Sequence, residues 1–240
     1  MGATSLDGRR IVITRPTPGL LVERMRGLGA LVDHVPLIEI VDSSDGGVAL
    51  GDALHRLDTF DWLVATSVNG AERVGSAARS SKVKLAAIGD ATAATMSSLA
   101  GRSVDLVPEL QHTAGLLAAF PRGSATVLVA QGNLAGPALA HGLRSMGCDV
   151  TAVEAYRTRH RPPDTHELDL LRAADVVVLS SGSAVESWRT AERDPNHTAV
   201  VITIGPKTAD VAERHGLQVV AVAATPSDDD VLAAVVQSLS

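Results

Sequence analysis

The chain alternates short runs of β-branched and aliphatic residues with longer stretches in which apolar positions recur at helical spacing. Runs at 11–14, 32–35, 62–66, 85–88, 104–107, 126–130, 149–153, 176–180, 200–204 and 219–223 predict strands. The runs are nearly continuous in apolar character rather than alternating. That pattern fits parallel strands buried on both faces, so the expected fold class is α/β with helices covering the sheets. Gly205-Pro206 places proline at a first helical position. Ser227 followed by Asp228, Asp229 and Asp230 reads as an N-cap with an acidic first turn. Gly101 and Gly216 each follow a helical run, where a helix-ending glycine belongs.

The pattern repeats in an interleaved order. Segment A runs from Arg10-Ile11-Val12-Ile13-Thr14 through a helical stretch to Gly29 and Leu31-Val32-Asp33-His34-Val35; it recurs as Ala125-Thr126-Val127-Leu128-Val129 through Gly147 to Asp149-Val150-Thr151-Ala152-Val153. Segment B runs from Asp61-Trp62-Leu63-Val64-Ala65-Thr66-Ser67 to Ile88-Gly89-Asp90-Ala91-Thr92; it recurs as Asp175-Val176-Val177-Val178-Leu179-Ser180-Ser181 to Ile204-Gly205-Pro206-Lys207-Thr208. The order A, B, A′, B′ implies two copies of one α/β unit, and a cleft between similar lobes is the expected place for a ligand.

Two segments look like connections, 36–47 and 154–164. Each follows the second strand of an A segment and begins extended. Lobes made of A with B and A′ with B′ need one linker near 121–125. Lobes made of A with B′ and B with A′ need both extended segments to cross together. The pattern leaves both open and leans to the second, because the two connections fall at equivalent points of the repeat.

Composition narrows the function classes. Apolar residues are 45% of the chain but aromatics only 2%, so the core is aliphatic. A net charge of −6 without basic-aromatic interleaving argues against nucleic acid. Met1 to Asp7 carry no apolar signal region, and no apolar run is long enough to span a bilayer, so a cytoplasmic protein is expected. Cys148 is the only cysteine, which leaves no disulfide framework and no cysteine metal site. No phosphate-binding, dinucleotide-binding or nucleophile-elbow glycine motif is present, and the scattered histidines form no metal signature.

The ordered set Ile13-Thr14-Arg15-Pro16, Pro36-Leu37-Ile38-Glu39-Ile40, Trp62 through Gly70, Ile88 through Ala93, Ala155-Tyr156-Arg157-Thr158, Ile204 through Ala209, Gly216-Leu217 and Thr225-Pro226-Ser227 resembles the uroporphyrinogen-III synthase family over nearly the whole chain. The resemblance implies two flavodoxin-like parallel-sheet lobes joined by a two-stranded linker, the first lobe discontinuous. Lobe 1 would be 1–36 and 161–240, lobe 2 would be 41–153, and 37–40 and 154–160 would be the linkers. It implies ring closure of the linear tetrapyrrole hydroxymethylbilane with inversion of the last pyrrole ring and loss of water, in haem or sirohaem biosynthesis. It implies a monomer with no metal and no cofactor, and hydroxymethylbilane synthase as a partner that could hand over the substrate.

Such a substrate is a polyanion, and a net acidic protein must hold it through local features. Helix N-termini at the carboxyl edge of a parallel sheet supply unpaired amides and positive potential. The candidate substrate-binding residues are Thr14, Arg15, Ser67, Asn69, Gly89, Thr92, Gln131, Gly132, Asn133, Ser180, Ser181, Gly205, Pro206, Lys207 and Thr208. A serine or threonine here also reads as an N-cap worth about 1 kcal/mol to the fold, and the two roles are compatible. Arg15 reads evenly as a carboxylate clamp or a solvated loop charge. Lys207 lies in a helix first turn, where a cation opposes the dipole and hints at an anion nearby. Arg157, Arg159 and Arg161 read as a solvated linker face.

Tyr156 is the only tyrosine. The resemblance places its hydroxyl near the leaving group, as the candidate catalytic acid; the alternative is a linker residue packed against a lobe. Its repeat equivalent is the purely apolar Ile38, which favours the functional reading. The chain departs from relatives that carry arginine where Gln131 and Gly136 stand. These departures support a rival reading, a non-catalytic lobe pair that senses a tetrapyrrole or another polyanion. A periplasmic-type solute receptor is a third reading, disfavoured by the absent signal region.

Overall fold

The computed structural model describes residues 6–192 and 199–239. In chain order the elements are β1 (Arg10–Ile13), α1 (Gly19–Gly27), β2 (Leu31–His34), β3 (Ile38–Val41), α2 (Val48–His55), β4 (Trp62–Ala65), α3 (Val68–Val74), β5 (Lys84–Ala87), α4 (Asp90–Ala100) and α5 (Thr113–Ala119). They continue with β6 (Thr126–Gly132), α6 (Ala138–Ser145), β7 (Asp149–His160), α7 (Thr165–Ala173), β8 (Val176–Leu179), α8 (Gly182–Ala191), β9 (Val200–Thr203), α9 (Pro206–Arg214), β10 (Val219–Val222) and α10 (Asp228–Ser238).

The chain divides into two compact units, Met1–Glu39 with Arg159–Ser240, and Ile40–Thr158. It therefore passes from one to the other twice, inside β3 and inside β7. The first unit has the sheet order β10-β9-β8-β1-β2, with its strand pairs parallel. The second sheet has the order β3-β7-β6-β4-β5, and β4, β5, β6 and β7 pair in parallel. A is hydrogen-bonded to B′ in the first sheet and A′ to B in the second.

The central strands of each sheet are covered on both faces, which is why β4 and β8 are buried along their whole length and show no apolar-polar alternation. In the first unit Ile11, Ile13, Val176 and Val178 meet Leu21 and Met25 of α1 and Val231 and Val235 of α10. Val12, Val177 and Leu179 on the other face meet Leu171 of α7 and Trp188 of α8. In the second unit Leu63, Leu85 and Leu128 meet Val74 of α3 and Met96 of α4, while Val64, Val127 and Val129 meet Leu116 of α5 and Leu143 of α6.

The repeat extends to individual bonds. Arg26 ends α1 and donates to the Val32 carbonyl at 2.8 Å; Arg144 ends α6 and donates to the Val150 carbonyl at 2.7 Å. Asp175 accepts from the Arg10 amide at 2.8 Å, and Asp61 accepts from the Thr126 amide at 2.7 Å. Gly29 and Gly147 both turn the chain at positive φ after their helices.

One expected strand is corrected. Residues 104–107 make only an isolated parallel bridge, Ala86 with Leu106, where the first sheet has the full strand β10. The Asp105 side chain takes the Leu85 amide at 2.7 Å, and Pro108 has no amide to extend a ladder. The linker arginines also differ from a freely solvated face. Arg157 pairs with Glu154 at 3.3 Å, Arg159 with Glu39, and Arg161 with Glu167 at 2.8 Å. Cys148 is buried, and burial pushes its thiol pKa up, as a structural cysteine requires.

Candidate active site

In the second unit three candidates from separate elements meet at the carboxyl edge. Ser67 is the N-cap of α3, its Oγ accepting from the Gly70 amide at 3.1 Å. The same hydroxyl donates to Tyr156 Oη at 3.0 Å. With Ser67 as donor to the phenol oxygen, the phenol's own proton is left for another acceptor. Tyr156 reaches this position through a bulge: β6 and β7 pair Gln131 with Glu154 and then Gly132 with Tyr156, skipping Ala155. The ring lies against Gly132 so closely that a methyl group there would sit 2.6 Å from Cζ and 2.8 Å from Oη. Gly132 is a glycine for space, not for a left-handed backbone.

The other candidates of this unit divide. Asn69 and Gln131 are half-buried at the same edge. Asn133 is occupied: its Oδ1 accepts from the Thr158 amide at 2.8 Å and its Nδ2 donates to the Thr158 carbonyl at 3.4 Å, so it anchors β7. Gly89 caps α4 without a side chain, and Gln111 fills the place. Gln111 Oε1 accepts from the Asp90 amide at 3.1 Å, and its Nε2 donates to Asp90 Oδ2 at 2.6 Å. A methyl group on Gly89 would lie 2.5 Å from that Oε1. The neutral amide oxygen occupies the position an anionic oxygen would take. The sequence reading missed Gln111, whose only signal is a polar residue after an apolar run that ends in proline.

The first unit presents the equivalent edge differently. Thr14 is fully buried and its hydroxyl donates to the Val178 carbonyl at 2.8 Å, so it ties β1 to β8. Ser180 lies 3.5 Å from it, and the Ser180 amide donates to Thr14 Oγ1 at 3.3 Å. Ser181 caps α8, accepting from the Ala184 amide at 3.1 Å. Arg15 pairs with Asp228 of α10 at 2.8 Å, its side chain 21% exposed, so its charge is already answered within the unit. The N-terminus of α9 is open: nothing lies within 4 Å of a methyl group placed on Gly205, and Lys207 is exposed with no ion pair among the described residues. Thr92 and Thr208 hold the same first-turn position in α4 and α9. They are 5% and 6% exposed, and neither hydroxyl has a hydrogen-bond partner among the described residues.

Among the described residues no group of three or more His, Cys, Asp or Glu is placed to hold a metal, and no helix is long and apolar enough to cross a membrane.

The sequence model of the uroporphyrinogen-III synthase HemD family matches residues 20–233, most of the chain. The chain belongs to the uroporphyrinogen-III synthase family. It is similar to a porphyrin biosynthesis protein HemD of Ruminiclostridium josui, with 26% identity over 232 residues, 90% of this chain and 46% of that protein. The chain thus spans about half the length of that relative. It is also similar to the uroporphyrinogen-III synthase of Synechococcus elongatus, with 27% identity covering 77% of this chain and 74% of that one. The fold matches a mutant uroporphyrinogen III synthase of Thermus thermophilus at a TM-score of 0.66 and 18% identity, over 97% of this chain and 99% of that chain. It matches the Helicobacter pylori enzyme at 0.64 and 18%, over 97% and 100%. These family members share the α/β architecture of two parallel-dominated sheets derived above.

Proposed function

We propose that this chain is a uroporphyrinogen-III synthase, closing hydroxymethylbilane into a ring with inversion of the last pyrrole and release of water. The observation that carries the reading is the Tyr156–Ser67 contact over Gly132, which leaves a phenol proton at the carboxyl edge. The reaction needs little more chemistry than that. The phenol protonates the hydroxyl of the hydroxymethyl group, the carbon–oxygen bond breaks, and water leaves with electron push from the pyrrole. The substituted carbon of the last pyrrole attacks the cation to give a spiro intermediate, which rearranges. The proton finally lost from that ring returns to the phenolate, which Ser67 steadies in the meantime. One weak acid and positioning account for catalysis of this kind.

Positioning falls to amides and hydroxyls that bind carboxylates. The open α9 terminus with Thr208 and Lys207 suits one, and Asn69 and Gln131 are neutral donors near the acid. The reading places the chain in a cytosolic setting as a monomer, taking substrate from a hydroxymethylbilane synthase. The test is a coupled assay: generate hydroxymethylbilane in situ, add the protein, oxidise and separate the porphyrin isomers. Isomer III above the no-protein control is expected. Isomer I alone from folded protein overturns the reading.

A further inference from the structure

The second unit has a concave feature at the edge of its sheet opposite the Ser67 turn. An open hollow of about 840 Å³ lies where the chain enters β4, β5 and β6, lined among others by Asp58, Asp61, Trp62, Lys82, Lys84 and Arg122. The four residues of β4 separate it from the Ser67 turn, a rise of about 13 Å. Its volume lies in the ordinary range of ligand sites.

The charges of the hollow are unevenly answered. Lys82, Lys84 and Arg122 are exposed, and no ion pair within 4 Å joins any of them to a carboxylate among the described residues. The two acids of the lining accept hydrogen bonds from neutral donors, and Asp61 also feels the charge of Lys84. Asp58 Oδ1 accepts from Ser81 Oγ at 2.6 Å. Asp61 Oδ2 accepts from the Thr126 amide at 2.7 Å and the Thr126 hydroxyl at 2.9 Å. Lys84 Nζ rests over the Trp62 ring, 5.4 Å from its centroid, an attraction that holds it at the wall of the hollow. Lys82 and Lys84 flank the buried Val83 at the entry to β5. Three cations, none in ion-pair range of a carboxylate, outnumber the two acids that line this concavity, in a chain whose net charge is −6.

We propose that this hollow binds a small multivalent oxyanion, a polycarboxylate or a phosphorylated molecule, apart from the carboxyl edge. Arg122 would take two oxygens side by side and the lysines would act as point charges. The test is titration calorimetry of the whole chain at low ionic strength, with citrate and with inorganic pyrophosphate as separate probes. Saturable heat with citrate assigns a carboxylate ligand, and heat with pyrophosphate a phosphoryl ligand; either supports the site. The Lys82→Ala/Arg122→Ala variant should bind the probe about tenfold or more weaker, because each lost charge-assisted hydrogen bond is worth about that factor. Arg214→Ala, at an exposed cation of the first unit, should leave the titration unchanged. No heat with either probe overturns the proposal, as does binding that the double variant leaves unweakened. The readout is binding alone, so it stands or falls independently of whether isomer III is formed.

Discussion

The two units are copies of one α/β pattern, yet their carboxyl edges are equipped for different work. In the first, hydroxyls are drawn into the scaffold: Thr14 ties two strands, Ser181 caps a helix, and Arg15 is held by Asp228. What remains open is the α9 terminus beside Lys207. In the second, the corresponding α4 terminus is closed by Gln111 and carries its own anion in Asp90. What remains there is a phenol. The difference traces to single positions of the repeat: Tyr156 for Ile38, Gly132 for Pro16, Asp90 for Pro206. Duplicated backbone supplies strand ends and helix termini twice, and a few substitutions decide which terminus is closed, which stays open and which edge carries the phenol.

Breaking the comparison at its centre should have the largest effect. Tyr156→Phe keeps the ring and removes the proton, so isomer III formation should fall about 10²-fold with an unchanged unfolding midpoint. A rate equal to wild type would remove the catalytic assignment. Gly132→Ala forces the ring from its place. It should approach the same loss and also lower stability by about 1–3 kcal/mol in urea unfolding.

Ser67→Ala and Ser181→Ala remove equivalent caps in the two units. Each should cost about 1 kcal/mol in stability. Only Ser67→Ala also loses the bond to Tyr156 and should slow turnover about fivefold, the worth of one neutral hydrogen bond. Equal rates in the two variants would end the claimed asymmetry. At the helix termini, Lys207→Ala should raise KM and leave kcat alone, whereas Gln111→Ala should lower KM by uncovering the α4 amides. A higher KM in Gln111→Ala would make that side chain a substrate contact rather than a stand-in.

The smallest effect is on acid stability. Hydrogen bonds from the Thr126 amide and hydroxyl hold Asp61 below its ordinary pKa of 3.8. Its stabilising contribution is therefore present above that unfolded value and is lost as pH falls through the lower folded one. Asp61→Asn should flatten the acid limb of the stability curve below pH 3.8, measured by thermal unfolding against pH. An unchanged limb would mean that other carboxylates carry it.

Local chemistry was readable wherever a short pattern dictates it. The α/β class, the parallel sheets, the proline-initiated α9, the Ser227 cap and the C-terminal glycines Gly101 and Gly216 are found as the pattern predicts. Residues 104–107 misled because hydrophobicity and β-branching say nothing of whether a side chain will compete for the ladder, as Asp105 does. The candidate residues were identifiable as polar groups at strand ends, but not their state. Whether Thr14, Arg15 or Asn133 is occupied depends on partners far away in sequence: Val178, Asp228 and Thr158.

The sequence by itself determined that there are two α/β repeats with aliphatic cores, a single tyrosine and helix starts poised at strand ends, because periodicity and capping act over a few neighbouring residues. Tertiary structure alone decided that a bulge lays Tyr156 on Gly132 within reach of Ser67, and that Gln111 closes α4 while α9 stays open. Those outcomes rest on contacts between residues tens of positions apart, and such contacts are set by packing and register rather than by any local preference of the chain.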